Sequence, residues 1–138
     1  NFRLAGHDGP LWCGKCPKCH FVFLIFAPQM ERSRLTAIFG QDVLDNPENI
    51  APYRELTGLS GHKPWECVGE ILEAAACLWR ISDHRDWRDS AVVKALKPDL
   101  EAFYGPARLQ SAYEEFMTDS TDHLIPEHIQ NAIAPHAH

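Results

Sequence analysis

Three cysteines within one short run, W-C-G-K-C-P-K-C-H at residues 12–20, carry the most specific chemical signal in this sequence. Cys13, Cys16 and Cys19 form two C-x2-C steps that share the middle cysteine. This spacing lets three sulfurs converge on one metal ion, and the glycine and proline between them permit tight turns. The run therefore predicts a metal-binding knuckle with three thiolate ligands.

A closed zinc site has four ligands, so the run leaves one ligand of the metal unassigned. His20 directly follows Cys19, and reaching the same ion would strain the backbone. We therefore predict His7, or a cysteine that precedes Asn1, as the fourth ligand of a structural Zn²⁺ ion. Two alternatives stay open. One is an iron–sulfur cluster, although the bacterial ferredoxin spacing requires a fourth cysteine where this chain has Phe23. The other is a loop with three free thiols.

A second stretch, G-L-S-G-H-K-P-W-E-C-V-G-E at residues 58–70, places a glycine loop before the predicted start of a helix. Free N–H groups at a helix N-terminus attract anions, so His62 and Lys63 would suit a phosphate or carboxylate there. Glu66 and Glu70 would lie one turn apart and could take a proton or bind Mg²⁺. The thiolate of Cys67 would be favoured near the helix start. The alternative is that Glu66 only caps the helix.

Composition limits the classes of function. The formal charge of −6 argues against a nucleic-acid-binding protein, and the absence of an apolar run of about 18 residues argues against a transmembrane helix. Five cysteines, three of them clustered, do not resemble a secreted disulfide framework, so we predict a reducing, cytoplasmic location. The first residue is asparagine, and we expect the chain to be a fragment of a longer protein.

Apolar residues recur at helical spacing, which predicts a mainly α fold: a helical domain with a small cysteine-rich zinc knuckle near its N-terminus. We expect a single C-terminal domain or fragment over residues 1–138. The knuckle and first helix would occupy 1–27, and a helical region would occupy 28–138. The clearest helix is predicted to start at Pro64, to continue through Trp79 and to fade over residues 82–86. The other predicted helices cover residues 18–26, 31–39, 53–59, 90–96, 98–104 and 107–117, with a weak pattern at 123–134.

The two motif stretches together resemble the C-terminal part of the MurL family, the ATP-dependent UDP-N-acetylmuramoyl-L-alanyl-L-glutamate epimerases of peptidoglycan biosynthesis. The resemblance covers about residues 1–73. It implies inversion of the terminal L-glutamate of a sugar-nucleotide dipeptide to D-glutamate, with ATP cleaved to AMP and pyrophosphate. It also implies a nucleotide-binding domain upstream, because the phosphate loop of such domains is absent from this sequence. The fragment alone is therefore expected to be inactive.

That resemblance gives the second stretch its roles. His62 and Lys63 would contact anionic groups, and Cys67, Glu66 and Glu70 would transfer protons or bind Mg²⁺. Two other hypotheses remain open from the sequence. The chain could be a zinc-stabilised helical binding module without catalysis, or it could be an iron–sulfur protein.

Overall fold

The computed structural model describes residues 11–61 and 70–118, and within these two ranges the chain is helical and contains no strand. The prediction of a mainly α fold is therefore confirmed. No helix in the described part is long and apolar enough to cross a membrane. A short 3-10 turn at Pro47–Asn49 accompanies six α-helices: α1 (Pro17–Phe26), α2 (Arg32–Phe39), α3 (Ile50–Leu56), α4 (Ile71–Ile81), α5 (Ala91–Tyr104) and α6 (Pro106–Met117). The weak helix predicted at 123–134 lies outside the described residues.

The first two helices begin and end close to the predicted positions. α1 starts with Pro17 in its first turn, where a proline loses no helical hydrogen bond, and Cys16 precedes it in an extended conformation. α2 ends at Gly40, which adopts the left-handed conformation (φ 72°) that glycine tolerates and that terminates many helices. The glycine turns the chain back, so that the residues after α2 run towards the start of α1.

The predicted unbroken helix from Pro64 is wrong at Glu70. This residue is extended (φ −90°, ψ 139°), and α4 begins only at the next residue, Ile71. The backbone N–H of Glu70 donates to Oε2 of Glu73 at 3.3 Å. A side chain that accepts from the backbone just before a helix stabilises the start of that helix, and apolar spacing alone does not locate such a start. Residues 62–69 lie outside the described ranges.

The predicted break at Pro98 is also wrong, because α5 runs continuously from Ala91 to Tyr104. A proline inside a helix leaves the carbonyl of the residue four positions earlier, here Lys94, without its usual partner. Both Pro98 and Lys94 are exposed, so water can satisfy that carbonyl. The opposite side of α5 is held by the fully buried Leu96 and Leu100, whose packing offsets the lost hydrogen bond.

The core forms around α4, which packs against α1, α5 and α6. Trp87, in the connection between α4 and α5, is fully buried. Its indole Nε1–H donates to the carbonyl of Ala27 at 2.8 Å, and its ring meets Phe23 edge-on with centroids 5.6 Å apart. This one side chain therefore joins the end of α1 to a segment 60 residues further along the chain.

A polar network fixes the segment that follows α2. Arg32, the first residue of α2, forms ion pairs with Asp42 (2.6 Å) and Asp45 (2.7 Å). The carboxylate of Asp45 also accepts a hydrogen bond from the backbone N–H of Ala91 at 3.0 Å. That N–H is at the start of α5, where helical partners are missing, so Asp45 caps α5 from a distant part of the chain. The segment from Gly40 to Asp45 is thereby held between α2 and α5.

Candidate metal centre

The sulfur atoms of Cys13, Cys16 and Cys19 all lie within 4.8 Å of one another. The Sγ atoms of Cys13 and Cys19 are 3.5 Å apart. Sulfurs that bind one Zn²⁺ tetrahedrally at about 2.3 Å are about 3.8 Å from each other, so this arrangement fits a shared ion. It is also the only group of three or more potential metal-ligating side chains found at such distances among residues 11–61 and 70–118.

Helix α1 positions two of the three sulfurs. Cys16 is the residue before its first turn, and Cys19 is buried within that turn. The free N–H groups and the dipole at a helix N-terminus favour negative charge, which suits thiolates at both positions. Cys13 comes from the loop before α1 and is exposed. Cys13 is therefore the one cysteine of the three that α1 does not hold.

The pKa values of the Cys13 and Cys19 thiols are shifted in opposite directions. A hydrogen bond from the backbone of Lys15 lowers the pKa of Cys13 to about 7. Burial raises the pKa of Cys19 to about 11, because a charged thiolate loses its solvation there. A metal ion binds thiolates and displaces their protons, so ion binding would overcome the burial of Cys19.

His20 supports the knuckle from the protein side and is not one of the clustered ligands. It is buried, and its Nε2–H donates to the carbonyl of Gly14 at 3.2 Å. Burial lowers the pKa of His20, which favours the neutral ring. The backbone carbonyl of His20 accepts a hydrogen bond from the hydroxyl of the buried Tyr53 at 2.8 Å. This geometry agrees with the sequence argument that His20 would not reach an ion bound by the three cysteines.

Sequence reasoning missed the contacts between the knuckle and the end of α2. The ring of Trp12 stacks on Phe39 with centroids 4.7 Å apart. The side-chain Nε2 of Gln41 donates to the carbonyl of Cys13 at 3.2 Å. Gly40 marks the end of α2 in the sequence. No local pattern shows that its neighbours Phe39 and Gln41 contact Trp12 and Cys13 in the loop before α1.

Of the other predicted site residues, only Glu70 belongs to the described part of the chain. His7, His62, Lys63, Glu66 and Cys67 lie outside the described residues, so their assigned roles stay predictions. Glu70 is described and exposed, and it is the residue that precedes α4.

Cys77, the fifth cysteine of the chain, lies in α4 and is fully buried. Burial raises its pKa to about 12, and a thiol that stays protonated is a poor nucleophile and metal ligand. Cys77 is therefore part of the core and not of the cysteine cluster.

Comparison with known proteins gives a family and several relatives. The family model described as "MurL C-terminal domain" matches residues 1–111. Proteins named UDP-N-acetyl-alpha-D-muramoyl-L-alanyl-L-glutamate epimerase are similar to this chain. The one from Salinispora tropica is 52% identical over 95 residues (69% of this chain), and the one from Micromonospora sp. is 43% identical over 123 residues (89%). The one from Xanthomonas oryzae pv. oryzae is 40% identical over 128 residues (91%).

The chain spans only part of each of these relatives: 21% of the Salinispora protein, 27% of the Micromonospora protein and 28% of the Xanthomonas protein. No solved structure matches the chain.

Proposed function

Because the chain belongs to the family of the MurL C-terminal domain, we propose that it is the C-terminal part of an epimerase that acts on UDP-N-acetylmuramoyl-L-alanyl-L-glutamate. The observation that carries this proposal is the family match over residues 1–111, supported by relatives of 40% to 52% identity that bear the epimerase name. The substrate is a sugar nucleotide with a dipeptide, and the product carries D-glutamate at its end.

The proposed route consumes ATP. The Cα–H of glutamate is a very weak acid beside a carboxylate, because the carbanion would form next to a negative charge. Transfer of AMP to that carboxylate, with release of pyrophosphate, removes the charge and makes the proton more acidic. A base then removes the proton, reprotonation from the opposite face inverts the centre, and hydrolysis releases AMP. The domain that binds ATP and Mg²⁺ would lie in the part of the protein that this chain does not span.

The proposal assigns roles to residues of the second motif. His62 and Lys63 would contact phosphate or carboxylate groups. Cys67, Glu66 and Glu70 would transfer the Cα proton or bind Mg²⁺, and Glu70 is exposed before the first turn of α4, where solvent and ligands can reach it.

The cysteine knuckle would have a structural role in this enzyme. Cys13, Cys16 and Cys19 would hold a Zn²⁺ ion, with His7 or a residue before Asn1 as the fourth ligand. The converging sulfurs and the closed ligand set expected of structural zinc sites support this assignment. The ion would cross-link the loop before α1 to a helix whose next turn is anchored in the core, since Phe23 and Leu24 are fully buried.

The full-length protein provides the test of the reaction. It is incubated in D₂O with the L-glutamate substrate, ATP and Mg²⁺, and the glutamate is then released by hydrolysis and resolved by chiral chromatography with mass spectrometry. We expect D-glutamate that carries deuterium at Cα, together with AMP. Product that remains L-glutamate without deuterium would contradict the proposal and favour a helical binding module.

The role of Cys67 has its own matched test. Cys67→Ala is expected to remove deuterium incorporation at Cα, whereas Cys77→Ala, at the buried cysteine of α4, is expected to retain it. Unchanged incorporation in Cys67→Ala would exclude that thiol as the base.

A further inference from the structure

The knuckle contains one weakly anchored ligand. Cys16 and Cys19 belong to the start of α1, which fixes the distance between them. Cys13 lies on the loop before α1 and is exposed, so packing in the core does not hold it in place. The tetrahedral arrangement of an ion depends on all three sulfurs. Something outside α1 must therefore fix the backbone that carries Cys13.

The end of α2 supplies that support. Trp12 stacks on Phe39, the last residue of α2, with ring centroids 4.7 Å apart. Two residues further along, the amide of Gln41 donates to the carbonyl of Cys13 at 3.2 Å. These contacts hold the side chain of Trp12 and the backbone of Cys13 in place. The network of Arg32 with the aspartates after Gln41 keeps this part of the chain in place.

Gln41 also lies directly on Gly14. A Cβ atom added to this glycine would be 2.0 Å from Nε2 of Gln41, so no other residue type leaves room for the amide in this position. Gly14 has a φ of 66°, which glycine adopts without strain and which turns the chain from Cys13 towards Cys16. The ring of His20 donates to the carbonyl of the same glycine at 3.2 Å. Gln41 therefore donates to the carbonyl of Cys13, and His20 donates to the carbonyl of the next residue.

We propose that Gln41 is a positioning residue for the metal knuckle, which it serves by fixing the backbone of Cys13 in the geometry that completes the thiolate set. The inference rests on the metal site proposed above. Gln41 does not ligate the ion, and its contribution is the N–H donor that it presents to the Cys13 carbonyl. Metal affinity therefore depends on a residue that lies 28 positions from the ligand it supports.

The size of the effect follows from one hydrogen bond. Its net contribution corresponds to about a 2- to 13-fold change in an equilibrium constant, and residues that support metal ligands often change affinity by about 10-fold or more. We expect Gln41→Ala to weaken Zn²⁺ binding by roughly 3- to 10-fold. Gln41→Glu keeps the shape but places a carboxylate, which cannot donate a hydrogen bond, against the carbonyl oxygen of Cys13. It is therefore expected to weaken binding at least as much.

The experiment measures Zn²⁺ affinity of the full-length protein by competition with a chromophoric chelator, and records the thiolate-to-metal absorption of the Co²⁺-loaded protein. The control is Gln110→Ala, which removes an amide hydrogen bond to Glu114 on α6, away from the knuckle. Thermal midpoints of the metal-free proteins report any effect on the fold alone. We expect both Gln41 variants to bind Zn²⁺ more weakly and to alter the Co²⁺ spectrum, while the control matches wild type.

The outcomes separate the two proposals. If wild type binds Zn²⁺ and both Gln41 variants bind it equally well, the positioning role is overturned and the metal site stands. The same conclusion follows if the variants lower only the thermal midpoint of the metal-free protein. If wild type itself takes up no Zn²⁺, the metal site is overturned, and the role of Gln41 is overturned with it.

Discussion

Replacing Trp87 by phenylalanine should destabilise the chain far more than the same change at Trp79. Trp87 is fully buried, and its Nε1–H donates to the carbonyl of Ala27 at 2.8 Å. Phenylalanine has no donor, so this buried carbonyl would lose a partner at a cost of about 1–3 kcal/mol. The smaller ring would also leave unfilled volume beside Phe23, which adds roughly 1–2 kcal/mol. We therefore expect a loss of about 2–5 kcal/mol, a large part of the stability of a typical domain.

Trp79→Phe is the matched control, because Trp79 also donates through its indole nitrogen. Its acceptor is the carboxylate of Glu101 at 3.1 Å, in a partly buried contact. Water can replace the indole at a partly exposed carboxylate, so we expect a loss of less than about 1 kcal/mol.

The assay is urea unfolding of both variants and the wild-type chain, followed by circular dichroism, with the midpoints compared at a common slope. A much lower midpoint for Trp87→Phe than for Trp79→Phe would show that the indole of Trp87 joins α1 to the connection between α4 and α5. Equal midpoints for Trp87→Phe and Trp79→Phe would refute the reasoning, because the buried carbonyl would then have another partner.

Three further predictions concern the knuckle and its surroundings. Gly14→Ala should lower metal affinity and should also lower the free energy of unfolding by about 1–2 kcal/mol. Alanine is strained at a φ of 66°, and its Cβ would displace the amide of Gln41. Wild-type values in chelator competition and in urea unfolding would contradict this. In the metal-free chain at pH 8, iodoacetamide should label Cys13 well before Cys77, because the pKa of Cys13 is about 7 and that of Cys77 is about 12. Peptide mapping that shows the reverse order would be inconsistent with the burial of Cys77. Tyr53→Phe removes the hydroxyl that donates to the carbonyl of His20 and should lower the free energy of unfolding by about 1 kcal/mol, measured by urea titration. An unchanged free energy of unfolding would show that this buried hydrogen bond does not stabilise the fold.

The sequence predicts those features whose causes are local. The C-x2-C-x2-C run predicts a cluster of sulfurs, and the sulfurs of Cys13, Cys16 and Cys19 do converge. Gly40 predicts the end of α2, because a left-handed residue stops a helix wherever it occurs. These signals depend on a few neighbouring residues, and a single sequence contains them completely.

Features that depend on distant contacts are predicted poorly. Pro98 looks like a helix break, yet α5 continues through it. Pro98 and Lys94 are both exposed, so water can satisfy the affected carbonyl, while the other side of the helix packs in the core. The start of α4, by contrast, has a local cause, the side-chain acceptor that Glu73 offers to the backbone of Glu70, and apolar spacing alone does not register it. Nothing local in the sequence indicates that Gln41 supports Cys13, because that contact exists only once α2 has packed beside the knuckle.

The most direct test of the metal centre is X-ray absorption spectroscopy of the full-length protein, because it identifies the element and counts its ligands. The account predicts one zinc ion per chain with at least three sulfur neighbours at about 2.3 Å. The fourth neighbour would be a histidine nitrogen if His7 completes the site, or a sulfur if a preceding cysteine does. Iron in place of zinc, or zinc with fewer than three sulfur neighbours, would contradict the assignment of Cys13, Cys16 and Cys19 as a structural zinc site.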